Sequence, residues 1–280
     1  MAPKLESARA GRKRRMKARQ AVTLVTGASA GIGRELARLA ARDSRAIVLV
    51  ARRRERLVAL QEEIAATLPA VEVHPWACDL ADARERRALV AGLAAKGLAV
   101  DHLINNAGAG DAGPFYALDR ARLQSQVELD VVAVHDLLLA FVPGMVERRY
   151  GRILNVASTA AFQPLPWMAT YAASKAFVLH LSEAMSVELR RLGITVTCLC
   201  PGRTATEFFD AAAGHDGILF ARTPTASAAT MARAGYEAML AGRRLVVPMW
   251  PDRLLAWLAR ASPRPLVLAI AERLFRPEGT

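Results

Sequence analysis

Cysteine is scarce in this chain: three in 280 residues, at Cys78, Cys198 and Cys200. So sparse and odd a set cannot build a disulfide framework, and it suits a reducing cytoplasm. Cys198 and Cys200 form a C-x-C, but no second Cys/His pair stands nearby to complete a zinc site. No metal is expected, and both read as small core side chains of a buried strand. Unbroken apolar runs are also lacking. None reaches the roughly 18 residues that span a bilayer, and residues 1–20 lack the apolar h-region of a secretory signal. Neither a signal peptide nor a transmembrane helix is expected.

Acids are outnumbered by bases, 26 to 38, for a formal net charge of +12. The excess is local. Residues 1–20 hold Lys4, Arg9, Arg12, Lys13, Arg14, Arg15, Lys17 and Arg19 against Glu6 alone, a net +7, which leaves +5 for the other 260 residues. Such an arm reads as a solvated, disordered leader, with contact to nucleic acid or anionic lipid as the alternatives. Nucleic acid is not the expected partner; peripheral membrane contact stays open.

What the chain has in quantity is apolar residues, 53%, enough for one large domain or two small ones. From residue 21 short β-branched runs alternate with longer helical stretches. The runs cover 21–26, 46–51, 71–77, 101–106, 152–158, 194–200 and 244–249. Several show no polar alternation, as strands covered on both faces should. Helical patterns cover 31–42, 53–67, 82–96, 119–148, 168–192 and 225–241; in the second, Leu57, Leu60, Ile64 and Leu68 recur at spacings of three and four. This alternation predicts a doubly wound, Rossmann-type α/β fold with a mainly parallel seven-stranded sheet. No boundary rich in Gly, Pro or Ser interrupts it, so the expected organisation is an arm (1–20) and one domain (21–280).

The first strand runs into "TGASAGIGRELARLAA". Gly27 allows a tight turn, Gly31 and Gly33 allow close approach, and the N–H groups opening the helix face an anion such as a pyrophosphate. The second strand ends in Arg52, Arg53 and Arg54 with no acid before Glu55. A carboxylate there suits a ribose 2′-hydroxyl, and arginine suits a 2′-phosphate. NADP(H) is therefore expected over NAD(H), with Arg52, nearest the strand end, as the foremost phosphate contact.

Tyr171 and Lys175 stand four apart on one face of a predicted helix, thirteen and seventeen residues after Ser158 at a strand's carboxyl end. A neighbouring ammonium favours phenolate and pulls a tyrosine pKa down from about 10. Apolar surroundings do the opposite, so the lysine is expected to decide. Tyr171 would then act as general acid toward a carbonyl or base toward an alcohol.

Taken together, "TGASAGIG", "CDL", "NNAG", Ser158, "YAASK" and "PGRTATEF" resemble the short-chain dehydrogenase/reductase family over residues 21–240, and in particular its DltE-like, hydroxysteroid and acyl-chain reductases. The resemblance implies cofactor contacts at Gly27, Ser29, Gly31 and Ile32 (phosphates and ribose) and at Asp79 and Leu80 (adenine edge), beside Arg52 and Arg53, which the arginine run at the second strand's end already assigns to cofactor. It further implies Asn106, Ala107 and Gly108 on the adenosine side, and Pro201, Gly202, Thr204 and Thr206 around the nicotinamide carboxamide. Ser158 would orient the reacting oxygen, Tyr171 would exchange its proton, and Lys175 would bond the nicotinamide ribose. Homo-oligomers are also implied. The family's further catalytic asparagine is matched here by Asp130, a departure expected to alter pH dependence.

Residues 245–280 carry two apolar clusters, Leu254, Leu255, Trp257 and Leu258, then Leu266, Val267, Leu268, Ile270, Leu274 and Phe275. They suit a helical cap over a hydrophobic pocket, a subunit contact, or a basic amphipathic segment on a membrane. Phe162, Pro164, Pro166, Trp167 and Met168 are expected to line an apolar mouth, favouring a lipophilic ketone, aldehyde or secondary alcohol as substrate. The rival to an enzyme is a cofactor-binding regulatory protein that has lost turnover, with Asp130 as its best support.

Overall fold

The computed structural model describes residues 21–207 and 225–276. The basic arm and its possible partners lie outside them, as does Phe208 of the "PGRTATEF" motif. The chain runs β1 (Ala21–Thr26), α1 (Gly31–Ala41), β2 (Ser44–Ala51), α2 (Arg54–Thr67), β3 (Glu72–Ala77), α3 (Ala83–Ala95) and β4 (His102–Asn105). Then follow α4 (Arg120–Val127), a π-helical turn (Glu128–Val132), α5 (Ala133–Glu147), β5 (Gly151–Val156), α6 (Ala169–Glu188) and β6 (Ile194–Leu199). Short β7 (Thr204–Ala205) and β8 (Ala226–Ser227) precede α7 (Ala228–Ala241), β9 (Leu245–Val246), α8 (Trp250–Ala261) and α9 (Arg264–Phe275).

Seven strands form one sheet in the order β3-β2-β1-β4-β5-β6-β9, every pairing parallel. A strand's side chains alternate between faces, and here both faces are apolar. Leu24, Val48, Leu103, Ile153 and Val196 enter one core with Leu89 and Leu137 of α3 and α5. Their neighbours Val25, Leu49, Ile104, Leu154 and Leu199 enter the other, with Leu36, Leu57 and Tyr236 of α1, α2 and α7. Every residue of β1 and β5 is buried, including the polar Thr23, Thr26, Arg152 and Asn155. Cys198 and Cys200 are buried at the end of β6, their sulfurs 3.8 Å apart.

Two departures have simple causes. The last strand pairs over two residues only, because Pro248 lacks an N–H and α8 opens at Trp250. The long helical stretch 119–148 is broken by the π-helical turn, whose extra residue rotates Asp130 inward to full burial. The run Arg120–Glu147 is long and apolar enough to cross a membrane by length and composition; a search for unbroken apolar residues misses it because Glu128, Asp130 and Asp136 interrupt it. Its Ala133, Val134, Leu137, Leu138 and Met145 pack into the sheet's core.

Leu103, wholly buried in the central strand β4, tests this packing. Leu103→Ala is expected to lower unfolding free energy by about 2–5 kcal/mol, and the volume-conserving Leu103→Met by under about 1.5 kcal/mol, read from urea denaturation midpoints.

Candidate active site

The carboxyl ends of β1, β2, β4, β5 and β6 open onto one cavity of about 990 Å³, roofed by α8 and α9. Its deep end is built by the glycine turn. Gly27 and Gly31 have φ of +67° and +53°, values an L side chain resists. A Cβ on Gly33 would lie 2.2 Å from the Gly27 carbonyl oxygen, so only glycine lets α1 start this close to β1. Helix α1 has no acid in its first turn, and its N-cap residue, Ala30, offers no side-chain acceptor. Its first N–H groups are thus left for an anion. Across the cavity a Cβ on Gly31 would meet Thr206 Cγ2 at 3.0 Å. This narrow, donor-lined cradle fits a dinucleotide pyrophosphate.

Every residue the resemblance assigned to cofactor lines this cavity, as do Ser158, Tyr171 and Lys175. Arg53 donates to Ser29 Oγ (3.3 Å) and pairs with Glu207 (2.9 Å), which also pairs with Arg56 (2.7 Å). Arg52 is exposed on the cavity wall and has no ion pair among the described residues. Asp79 accepts from Ala81 N–H (3.0 Å), and the cap of α3 is Asp82. The loop carrying Asp79 and Leu80 is held from behind by buried Arg86, which donates to Leu80 O (2.7 Å) and pairs with Asp136 (2.9 Å). Asn106 donates its side-chain N–H to Thr26 O (3.0 Å), tying β4 to β1.

Ser158 follows β5 and caps a 3-10 turn, its Oγ accepting from Ala160 N–H at 3.1 Å. The turn packs beside α6, which carries Tyr171 and Lys175. An amide relay fixes the height of α6: Asn105 Nδ2 donates to Asn155 Oδ1 (2.8 Å) and Asn155 Nδ2 to Ser182 Oγ (2.9 Å). Lys175 Nζ lies 5.7 Å from the Tyr171 ring centroid and 3.8 Å from Asp130 Oδ1. That carboxylate oxygen accepts from Ala109 N–H (2.9 Å), while Oδ2 has no partner. Gly108 leaves room for the pair, since a Cβ there would lie 2.9 Å from Lys175 Nζ.

The electrostatics correct one expectation. Burial pushes the Tyr171 phenol above its ordinary range; Lys175 and a Ser158 hydrogen bond act against this, and Asp130 adds to it. The lysine moderates rather than decides, because burial is the larger effect. Burial likewise raises Asp130, with Lys175 and the Ala109 N–H opposing.

The mouth differs from expectation too. Among the five residues expected there, Met168 lines the cavity, joined by Gln163 and Leu165, while Phe162, Pro164, Pro166 and Trp167 do not. Phe162 turns into the core beneath Arg260, whose guanidinium lies 5.5 Å from the ring centroid. From the roof, Leu255, Leu258, Val267, Ile270, Leu274 and Phe275 face the cavity. Sequence reasoning missed Asp252. It sits in the first turn of α8 and fills the space above Gly202, where a Cβ would lie 2.0 Å from its Oδ2. Burial holds its carboxyl above the usual range. An acid in a helix's first turn reads as a dipole partner, so only the approach of α8 to the Pro201–Gly202 loop reveals it.

A doubly wound sheet with a glycine cradle and a Ser–Tyr–Lys wall at its carboxyl edge defines a dinucleotide-dependent oxidoreductase site. Residues 21–216 match the model of the short chain dehydrogenase family, and the chain belongs to that family. It is 38% identical over 178 residues to a very-long-chain 3-oxoacyl-CoA reductase of Mycosarcoma maydis, covering 63% of this chain and 51% of that one; the chain thus spans about half of that relative's length. A short-chain dehydrogenase from Sphingobium yanoikuyae in complex with NADPH superposes with a TM-score of 0.76 at 30% identity, covering 85% of this chain and 92% of the other. A short-chain dehydrogenase/reductase from Burkholderia phymatum in complex with NAD gives 0.76 at 26% identity, covering 86% and 93%. The protein is an oxidoreductase acting on alcohol or carbonyl groups, with a fold that binds NAD(P).

Asp130→Asn removes the negative charge that raises Tyr171 and frees Lys175 to lower it. The phenol pKa falls in the variant, so the alkaline limb of carbonyl reduction, where the phenol is lost, moves to lower pH. The pH profile of kcat/KM reads this; an unchanged profile removes Asp130 from the proton pathway.

Proposed function

We propose that this protein interconverts a lipophilic carbonyl compound and its alcohol, using NADP(H) in preference to NAD(H), with Tyr171 as general acid and base. One observation carries the reading: Ser158, Tyr171 and Lys175 share one wall of a cavity whose other end is the glycine cradle. When bound, the dinucleotide supplies or accepts the hydride.

In reduction, the Ser158 hydroxyl now directed at the phenol turns to the substrate oxygen, holding it beside Tyr171. The phenol gives its proton as negative charge grows on that oxygen. The Lys175 ammonium offsets the resulting phenolate, and buried Asp130 keeps that ammonium in place. In the oxidising direction the same groups take the proton back. Roof residues from α8 and α9 exclude water and favour an apolar substrate body.

Preference for the 2′-phosphate rests on Arg52 and Arg53. The Arg53–Glu207 pair is about half exposed on both sides, and such pairs are worth about 0–1 kcal/mol, so a phosphate can displace it. The proposal includes a homo-oligomer, for which the exposed Leu139, Phe177 and Val187 of α5 and α6 offer an apolar face, and a reducing cytoplasm, suggested by the three free thiols.

A panel of hydrophobic ketones and aldehydes with NADPH or NADH, followed by nicotinamide absorbance, tests the reading. Tyr171→Phe is expected to lower kcat by about 10²-fold or more while leaving NADPH affinity nearly intact; undiminished turnover would sink the mechanism. Arg52→Ala should raise the KM for NADPH by about tenfold and leave that for NADH almost unchanged. Equal effects on both would remove Arg52 from 2′-phosphate recognition.

A further inference from the structure

We propose that the outer face of the α8–α9 pair docks this protein on an anionic lipid bilayer. Among the described residues, nine of the fifteen exposed large apolar side chains fall within residues 249–270. Trp250 and Trp257 are 72% and 63% exposed, and Leu254, Leu266 and Leu268 stand beside them at 43–52%. Each helix touches the body along a thin stripe only: Ala256 is the buried residue of α8, and Val267, Ala271 and Phe275 are those of α9. Phe115 and Tyr116, 66% and 92% exposed, follow Ala112, which packs with Ala271 and Phe275. A second aromatic pair therefore lies near the foot of α9.

Charge selects the occupant. The pair carries exposed Arg253, Arg260, Arg264, Arg273 and Arg276 against its own Asp252 and Glu272; Arg260 pairs with Glu183 of α6 and Arg276 with Glu272, while Arg253, Arg264 and Arg273 have no ion pair among the described residues. An apolar helix face rimmed by arginines, with tryptophans at the boundary, matches the headgroup layer of an anionic membrane. Two copies of so basic a face would repel each other. Leu255, Leu258 and Ile270 are exposed and also line the cavity, so the apolar surface runs from the outer face into the pocket. A second copy seated there would cover that entrance, whereas a bilayer would present lipophilic compounds to it. An oligomer face is available elsewhere, on α5 and α6.

Vesicle co-sedimentation of the full chain tests this without substrate or cofactor, so its failure and failure of the catalytic reading are separable. The probes are vesicles of equal parts phosphatidylcholine and phosphatidylglycerol, and of phosphatidylcholine alone. The expected result is binding to the anionic vesicles with a blue shift of tryptophan emission. Trp250→Ser/Trp257→Ser should weaken binding by about tenfold or more, and Arg264→Gln/Arg273→Gln should weaken it in a salt-dependent way. Neither pair lines the cavity, so turnover of a water-soluble ketone without vesicles should be unchanged, which also reports folding. Undiminished binding by both variants, or its complete loss on deleting residues 1–20 alone, would assign the contact to the basic arm and overturn the proposal. A parent oligomer that the tryptophan variant dissociates would overturn it in favour of a second copy.

Discussion

Parallel pairing of all seven strands governs this molecule. A strand that must run alongside its predecessor in the same direction cannot return through a tight turn, so each return needs a crossover on a sheet face. Those crossovers bury both faces and bring the carboxyl ends of the strands to one edge. Gly27, Asn106, Ser158 and Pro201, far apart in the chain, meet there because each lies within two residues of a strand's carboxyl end. The edge is cross-tied: Thr26 Oγ1 accepts from the N–H groups of both Asn106 and Ala107, and Thr159 N–H donates to Pro201 O. Cradle and reactive wall are held as one body before anything binds.

Within that body, the Tyr171 phenol sits between opposing fields. Burial resists phenolate; Lys175 and Ser158 favour it; Asp130 resists it again and claims part of the lysine's charge. A neutral asparagine at position 130 would leave the ammonium wholly to the phenol. The carboxylate at 130 thus raises the proton affinity of the Tyr171 phenol. Its unpartnered Oδ2 in a fully buried setting keeps that adjustment dependent on Asp130's own protonation.

The roof is built on different terms from the sheet. Its two helices hold to the body by stripes of small and aromatic side chains, Ala256 on α8 and Val267, Ala271 and Phe275 on α9. They give one face to the cavity and the other to solvent. Thin attachment of this kind explains why so much apolar surface stays outside the core.

The element order, both buried sheet faces, the glycine cradle and the Tyr171–Lys175 spacing were legible along the chain, because each depends on contacts between residues close in sequence or on the two- and 3.6-residue periods of strand and helix. Ser158 and the strand-end loops could be assigned through motif order. The balance of fields on Tyr171, the turning of Phe162 into the core, the sharing of Arg53 and Arg56 by Glu207, and the seating of Asp252 over Gly202 could not. Each depends on groups about 40 to about 150 residues apart, brought together only when crossovers and roof have packed. Pairwise electrostatics and burial vary steeply with distance, so local pattern names the participants and tertiary packing decides what each one does.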